Sequence, residues 1–571
     1  MPGDLSWPST DIWDRLNDTL DGRLIKTVPI ASVCHHPNYD EVKCKHLREN
    51  WRRSDLHMDH PTSIMHNIYL KKACDPFTSP DTPCDIGSYV QYTVNVSKPD
   101  HVKKAVNFAK EHNLRFVIKN TGHDYMGKST GIGALSVWMH HLQDMEYIEK
   151  YDSPHYSGPS FKLGAGITGA QISRKAKEYG LVVVSGSCST VGIVGGYIQG
   201  GGHSTLSSVY GLAADQALSF EVIAPTGEFL IASPTENSDL YWALSGGGGG
   251  TYGIVWSVTV KAFPDTKVTT ASISFGIDSA PNEEAFYEGI KAYYASSSRF
   301  GTAKLSGFAV HSGERFDLMP LFAYNQSSDD VEEIISPLID TLGSLGITYT
   351  KAVATYPNFV DAFFSTPSLQ PEVQEVSAFL LGSRILPASL FPSEISQDQI
   401  ENEGLDKLML ILKDIANKKG VILDILVKAD STAYANPSEW NAVHPAWRNG
   451  LHSLAVAMFF ENEEGLEVIS RDQDLITYDF VDQLRQLTPG SGAYLNEAAP
   501  NEPDFQQTFY GTNYNKLLRI KDKYDPYQML YGSTSVGGDR WFENESDGRR
   551  LCQVTKNSKS KKRSFISSIE L

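Results

Sequence analysis

The chain has 571 residues, 41% hydrophobic and 21% charged, the composition of a globular protein at a length beyond one ordinary core, so two domains or one elaborated pair is expected. Its formal charge of -18 would repel a nucleic-acid backbone or an anionic membrane over most of the surface, and neither is expected as a partner. No apolar run reaches the length of about 18 residues that a transmembrane helix needs.

Residues 1–88 read as a loop-rich extension with short helical pieces at 9–20 and 40–51. Cys34 and Cys44, then Cys74 and Cys84, stand ten residues apart in this Pro/Asp/His-rich stretch, where short disulfides would staple the chain. Sequons at Asn17, Asn95, Asn325 and Asn544 point the same way, to a secretory ancestry, although the opening residues lack the basic and apolar regions of a signal peptide. Cys188 and Cys552 remain, and without a CxxC pair no zinc site is expected.

Regular structure begins at residue 89. YVQYTVNV alternates like a strand, Pro99 and Asp100 open a helix with Val102, Ala105, Val106 and Ala109 on one face, and RFVIKN resumes a strand. This βαβ unit ends in a donor-rich loop, Asn120, Thr121, Gly122, His123 and Asp124. Residues 164–169, GAGITG, then match GxGxxG between an apparent strand (161–163) and helix (171–179). About twenty residues on, where a dinucleotide site needs an acid for the ribose, the chain reads VVVSGSCST, so the motif is read as a tight strand-to-helix turn. Residues 182–215 set Cys188 among Gly186, Gly192, Gly195, Gly196, Gly200 and Gly201. Such glycines let backbone approach a flat or phosphorylated ligand, and a thiol in the same loop is a candidate for chemistry. A hairpin about Pro225-Thr226-Gly227 follows, then five glycines (246–250) flanked by Trp242 and Tyr252, read as backbone laid against a ligand before a strand at 254–263.

From about residue 264 the glycine clusters vanish. Strand-like runs at 269–277, 305–311, 316–324, 379–386, 421–428 and 454–460 alternate with amphipathic helices at 282–296, 331–345 and 403–417, which predicts an α+β unit with a largely antiparallel sheet. A short extended piece at 493–497 and a helix ending at Pro526 close the ordered chain, and the basic tail reads as disordered and solvated. The expected division is 1–88, 89–264, 265–490, 491–552 and a tail at 553–571.

His123 and Cys188 are two nucleophilic side chains able to attach to one planar ring system. Their segments, IKNTGHDYMGKSTG and GSCSTVGIVGGYIQGGGHSTLSSVYGLAADQ, together with LGAGITGAQI, LYWALSGGGGGTYGIV, YLNEAAP and IKDKYDP, resemble the berberine-bridge-enzyme-like branch of the vanillyl-alcohol-oxidase superfamily with its PCMH-type FAD-binding domain. Within that branch the likeness is to fungal isoamyl alcohol oxidase-like proteins, and it covers nearly the whole chain. The resemblance implies an α+β fold, with a two-part FAD-binding domain completed by the C-terminal segment and an inserted substrate domain whose large antiparallel sheet is covered by helices.

It also implies bicovalent FAD, with His123 matching the histidine bonded to the 8α-methyl carbon and Cys188 the cysteine bonded to C6. Gly253, Val255 and Asn496 join the loop residues named above as expected cofactor neighbours. Val191 matches the position that gates oxygen, and Gly186 the small residue beside the oxygen pocket. His203, Tyr494 and His444 are the candidate catalytic bases, since a hydroxyl proton must be taken by a positioned group when a hydride leaves a carbinol carbon. The implied activity is an oxidase that acts on an alcohol or activated carbon of a small, hydrophobic or secondary-metabolite substrate, with O2 as acceptor and H2O2 as product. An oxidative cyclase, a carbohydrate oxidase and a flavin-binding protein without turnover are the alternatives. The oligomeric state is not defined by the sequence. Ser189 stands where the family commonly has Pro, and Leu5-Ser6 where many relatives carry a cysteine that would pair with Cys552.

Overall fold

The computed structural model describes residues 1–366, 378–393, 402–430 and 440–554; the tail at 555–571 lies outside the described residues. Strands β1 (Leu24–Lys26), β2 (Tyr92–Asn95), β3 (Phe116–Lys119) and β4 (Leu135–Trp138) form a sheet in the order β1-β2-β4-β3. Both β2 and β3 run parallel to β4, and β1 is antiparallel to β2. The helix Pro99–Glu111 joins β2 to β3 as the periodicity predicts, with Val102, Ala105, Val106 and Ala109 buried. Proline at its start costs nothing, because the first helical N–H has no intrahelical acceptor. Strand β4 inserts between the two strands of the βαβ unit, which the sequence pattern did not reveal.

The second sheet contains β5 (Met145–Ser153), β6 (Tyr156–Gly164), β7 (Ala217–Ile223), β8 (Phe229–Ala232) and β9 (Ile254–Lys261). It is antiparallel in the order β5-β6-β9-β7-β8. GAGITG is the turn from β6 into the helix Gly169–Lys177, whose N-terminus Thr168 and Gln171 close with a reciprocal capping box. A Cβ on Gly166 would lie 2.0 Å from the carbonyl oxygen of His140, so that glycine serves chain packing.

The third sheet contains β10 (Val268–Gly276), β11 (Ser306–His311), β12 (Arg315–Tyr324), β13 (Thr350–Tyr356), β14 (Phe379–Pro387), β15 (Val421–Leu426) and β16 (Gly450–Phe459). It is antiparallel in the order β13-β10-β12-β11-β15-β16-β14. Helices Glu283–Thr302, Ser328–Ser344 and Glu403–Asn417 cover one face and share its core. The other face packs Ile385, Ile425 and Val427 against Val443, Trp447 and Tyr494. Edge strand β13 escaped the pattern because TKAVATY is largely exposed and has no buried face to mark it.

A polar cluster is sealed on the helix-covered side. His452 Nδ1 lies 2.9 and 2.8 Å from the two Asp424 oxygens, and neither side chain is exposed. The Tyr293 hydroxyl donates to Asp424 Oδ2 at 2.8 Å. Burial holds His311 neutral, pushed down to about 4, and its Nε2 lies 2.9 Å from the Tyr294 hydroxyl.

The C-terminal segment returns to the first two sheets. Buried Lys521 Nζ, in the helix Tyr514–Tyr524, donates to the carbonyls of Thr251 (2.9 Å) and Leu530 (2.7 Å) and pairs with Asp525. Leu530 bridges to Phe116 beside β3. A final hairpin, β17 (Trp541–Asn544) with β18 (Arg550–Gln553), was not foreseen; it is tied down by Arg115–Glu543 at 2.8 Å and Arg550–Asp4 at 2.7 Å. Disulfides join Cys34 to Cys44 and Cys74 to Cys84, as the spacing predicts. Among the described residues no helix is long and apolar enough to cross a membrane.

Candidate active site

One cavity draws most of its wall from five stretches of chain, with Met139 and Ala165 between them: β3 and the loop after it, the loop from Gly186 to His203, residues 249–255, Tyr494 to Glu497, and Leu530 with Tyr531. Much of the wall comes from chain next to the ends of regular elements. Asn120 follows β3, Gly253 precedes β9, and Tyr494 and Leu530 belong to the returning C-terminal segment.

His123 and Cys188, 65 residues apart in sequence, meet at this wall with Sγ 3.8 Å from Nε2. Thr190 Oγ1 lies 2.8 Å from His123 Nε2 and 3.7 Å from the sulfur. Burial keeps the imidazole neutral, lowering it to about 3, and pushes the thiol up to about 11. Asn120, Thr121, Gly122, Asp124, Gly186, Val191, Gly192, Gly195, Gly196, Gly253, Val255 and Asn496 also line the cavity. Asp124 organises its own loop by accepting from the backbone N–H groups of Met126 and Ser129.

The glycines divide into two kinds. A Cβ on Gly192 would lie 2.5 Å from Asn120 Nδ2, and one on Gly200 would lie 2.3 Å from Asn496 Nδ2, so these positions admit side chains of the protein itself. Gly196 and Gly250, by contrast, would meet nothing closer than 3.9 and 4.0 Å. Gly200 and Gly201 were expected beside the cofactor and do not line the cavity. Of the five-glycine run only Gly249 and Gly250 reach it; Gly246 abuts Val443, and Gly247 abuts the Ala243 carbonyl.

His203 and Tyr494 lie on the cavity wall, their rings edge to face at 5.2 Å. His203 Nε2 is 3.2 and 3.4 Å from the two carboxylate oxygens of Glu497, and its Nδ1 is buried without a partner among the described residues. The Tyr494 hydroxyl accepts from Asn496 Nδ2 at 2.8 Å. Burial raises that phenol far above its ordinary range, so it stays protonated and is left as a donor. His444 does not belong here. It is buried between Gly492 and Gly511, its Nε2 donating to the Gln507 carbonyl at 3.1 Å and its Nδ1 accepting from the Ala446 N–H at 3.0 Å. Both ring nitrogens are spent on backbone, away from the cavity.

Glu497 and Gln199 were missed. Glu497 sits one residue after Asn496 in the YLNE motif, and a carboxylate in so apolar a stretch was the available signal. Gln199 Nε2 donates to the Val194 carbonyl at 3.1 Å, which leaves Oε1 buried and without a partner among the described residues.

Three buried acceptors on the wall, Asn120 Oδ1, Gln199 Oε1 and His203 Nδ1, therefore lack protein donors among the described residues. Buried polar atoms are normally paired, so the wall is built for a ligand that brings donors of its own. The open backbone at Gly196 and Gly250 and the apolar Val191, Val194 and Val255 fit a flat ring system with polar edges.

Comparison with known proteins agrees with this chemistry. The FAD binding domain family model matches residues 90–233, and the berberine and berberine-like model matches residues 493–537. An FAD-linked oxidoreductase, patO of Aspergillus clavatus, is 40% identical and aligns over 98% of this chain and 95% of its own length. The chain belongs to the berberine-bridge-like FAD-linked oxidoreductases. Within that family, the bifunctional decalin synthase calF of Penicillium decumbens is 38% identical over 97% of this chain and 95% of its own. The crystal structure of the VAO-type flavoprotein MtVAO615 from Myceliophthora thermophila is 37% identical and superposes with a TM-score of 0.91, covering 97% of this chain and 99% of that one. The fold is thus that of the VAO-type flavoproteins, and the third sheet is the large antiparallel sheet of their substrate domain.

Proposed function

We propose that the protein is an FAD-dependent oxidase that removes a hydride from an alcohol or similarly activated carbon of a small molecule and passes the electrons to O2, giving H2O2. The observation that carries this reading is the meeting of His123 and Cys188 on one cavity wall, with His203 and Tyr494 lining the same cavity. FAD, when bound, supplies the hydride acceptor. His123 and Cys188 hold it by two covalent bonds. With Nε2 engaged by Thr190, the neutral imidazole offers Nδ1 for its bond, and Cys188 attaches through sulfur. Asn120, Gln199, Gly196 and Gly250 give it polar contacts and backbone it can lie against. Residues 89–264 and 491–552 form the cofactor-binding part, and 265–490 the substrate part.

On the substrate, Tyr494 donates a hydrogen bond and His203 accepts the hydroxyl proton. Val191 and Gly186 keep space open for O2. The name of calF favours one second reading, in which loss of the hydride triggers ring closure instead of simple oxidation.

Acid denaturation provides the test. Yellow colour stays with the native polypeptide, survives His123→Ala and Cys188→Ala singly, and is released by the double variant. Free FAD from the native protein would overturn the covalent assignment. Alcohol-dependent H2O2 release checks the acceptor, and product identification separates oxidation from cyclisation.

A further inference from the structure

We propose that Glu497 and His203 act as a single proton-accepting unit, with Glu497 as the positioning residue that fixes which imidazole nitrogen receives the substrate proton. This rests on the oxidase reading above and goes beyond it, because it assigns a role to a carboxylate that the reaction does not otherwise require.

Among the described residues Glu497 is the one anionic group within hydrogen-bonding distance of His203, and His203 is the one basic group paired with it. A carboxylate can only accept, so the shared proton lies on Nε2. In a neutral imidazole the other nitrogen then carries the lone pair, and here that nitrogen is Nδ1, buried with no protein donor. The ring cannot easily turn away. Its own carbonyl accepts from the Tyr197 hydroxyl at 2.7 Å, Trp447 lies parallel to it at 6.5 Å, and Tyr494 meets it edge-on.

In the proton-transfer step the substrate O–H bond breaks and an N–H bond forms at Nδ1. The imidazole becomes an imidazolium, and its new positive charge faces a carboxylate 3.2 Å away across the Nε2–H bond. The other ionisable groups on which the Glu497 charge bears are Tyr125, Tyr197, Tyr494 and Cys188, each of which it disfavours ionising. Burial already keeps all four protonated, so His203 is the group through which this carboxylate acts.

The experiment uses the flavin-loaded protein with 15N-labelled histidine, His203 being assigned by its loss in His203→Asn. In the native protein, His203 shows a protonated Nε2 and a bare Nδ1 at neutral pH. In Glu497→Gln the amide oxygen still accepts from Nε2, so the tautomer persists. The kcat/KM of this variant falls about tenfold, because the imidazolium formed in the step no longer faces a carboxylate. In Glu497→Ala the tautomer preference is lost as well, and kcat drops about tenfold below that of Glu497→Gln. Flavin absorbance and the unfolding midpoint show that each variant is folded. A native His203 protonated at Nδ1, or a tautomer and kcat/KM identical in all three proteins, overturns the proposal. If no alcohol yields H2O2, the oxidase reading fails on its own account and the nitrogen spectra still decide the pair.

Discussion

Two histidine–carboxylate pairs stand in different parts of this molecule, His203 with Glu497 on the cavity wall and His452 with Asp424 under the helices of the third sheet. Both are close contacts, and both leave the second ring nitrogen buried without a partner among the described residues. Their surroundings differ. Asp424 also accepts from Tyr293, and His452 is packed by Tyr294 and Phe391, so that pair faces only protein. Glu497 and His203 face a cavity. A histidine–carboxylate pair acquires a chemical role from what the second ring nitrogen can reach, and a pair that reaches nothing serves the fold.

The contrast predicts that perturbing the sealed pair changes stability and perturbing the open pair changes rate. The largest effect belongs to Asp424→Asn, which leaves a buried polar cluster without its anion. It should cost about 3 kcal/mol, read as a lower denaturant midpoint, with kcat per bound flavin unchanged. A fall in kcat at constant stability would break the comparison.

Next comes pH. Burial lowers His311, which joins the sealed cluster through Tyr294, to about 4 from an ordinary 6.5. The unfolded chain takes up this proton first as pH falls. Stability is therefore full above pH 6.5 and declines towards pH 4 by up to about 3 kcal/mol from this group, and His311→Gln should flatten that part of the profile. The smallest effect is at Tyr494→Phe. Losing one hydrogen-bond donor of about 1 kcal/mol lowers kcat/KM roughly fivefold and leaves the unfolding midpoint nearly unmoved.

Local patterns carried the fold further than they carried the site. Pro225-Thr226-Gly227 marked the β7–β8 hairpin because a tight turn has few chemistries, and the Pro99 helix announced itself by its start and its buried stripe. Strand β13 and the β17–β18 hairpin had no alternating buried face to betray them. At the site, His123, Cys188, His203 and Tyr494 stood out by chemistry and motif. The pairing of His203 with Glu497 spans 294 positions of sequence, and no spacing rule reaches that far. His444 looked as reactive as His203 in one dimension, and its engagement with the backbone at Gln507 and Ala446 removes it. Asp424 and His452 sat unnoticed within apolar strand sequence, since only packing shows that their side chains meet under the helices. The glycines were read as room for a ligand, and at Gly192 and Gly200 the room is taken by Asn120 and Asn496.

The five-segment wall bears on how the protein is made. While a ribosome is still adding residues, the stretches around His123, Cys188 and Gly250 emerge long before Tyr494, Glu497 and Tyr531 exist to close the far side. Lys521, which ties Thr251 to Leu530, comes almost last. The cavity is therefore complete only once residues 494–531 have folded back onto residues 116–255.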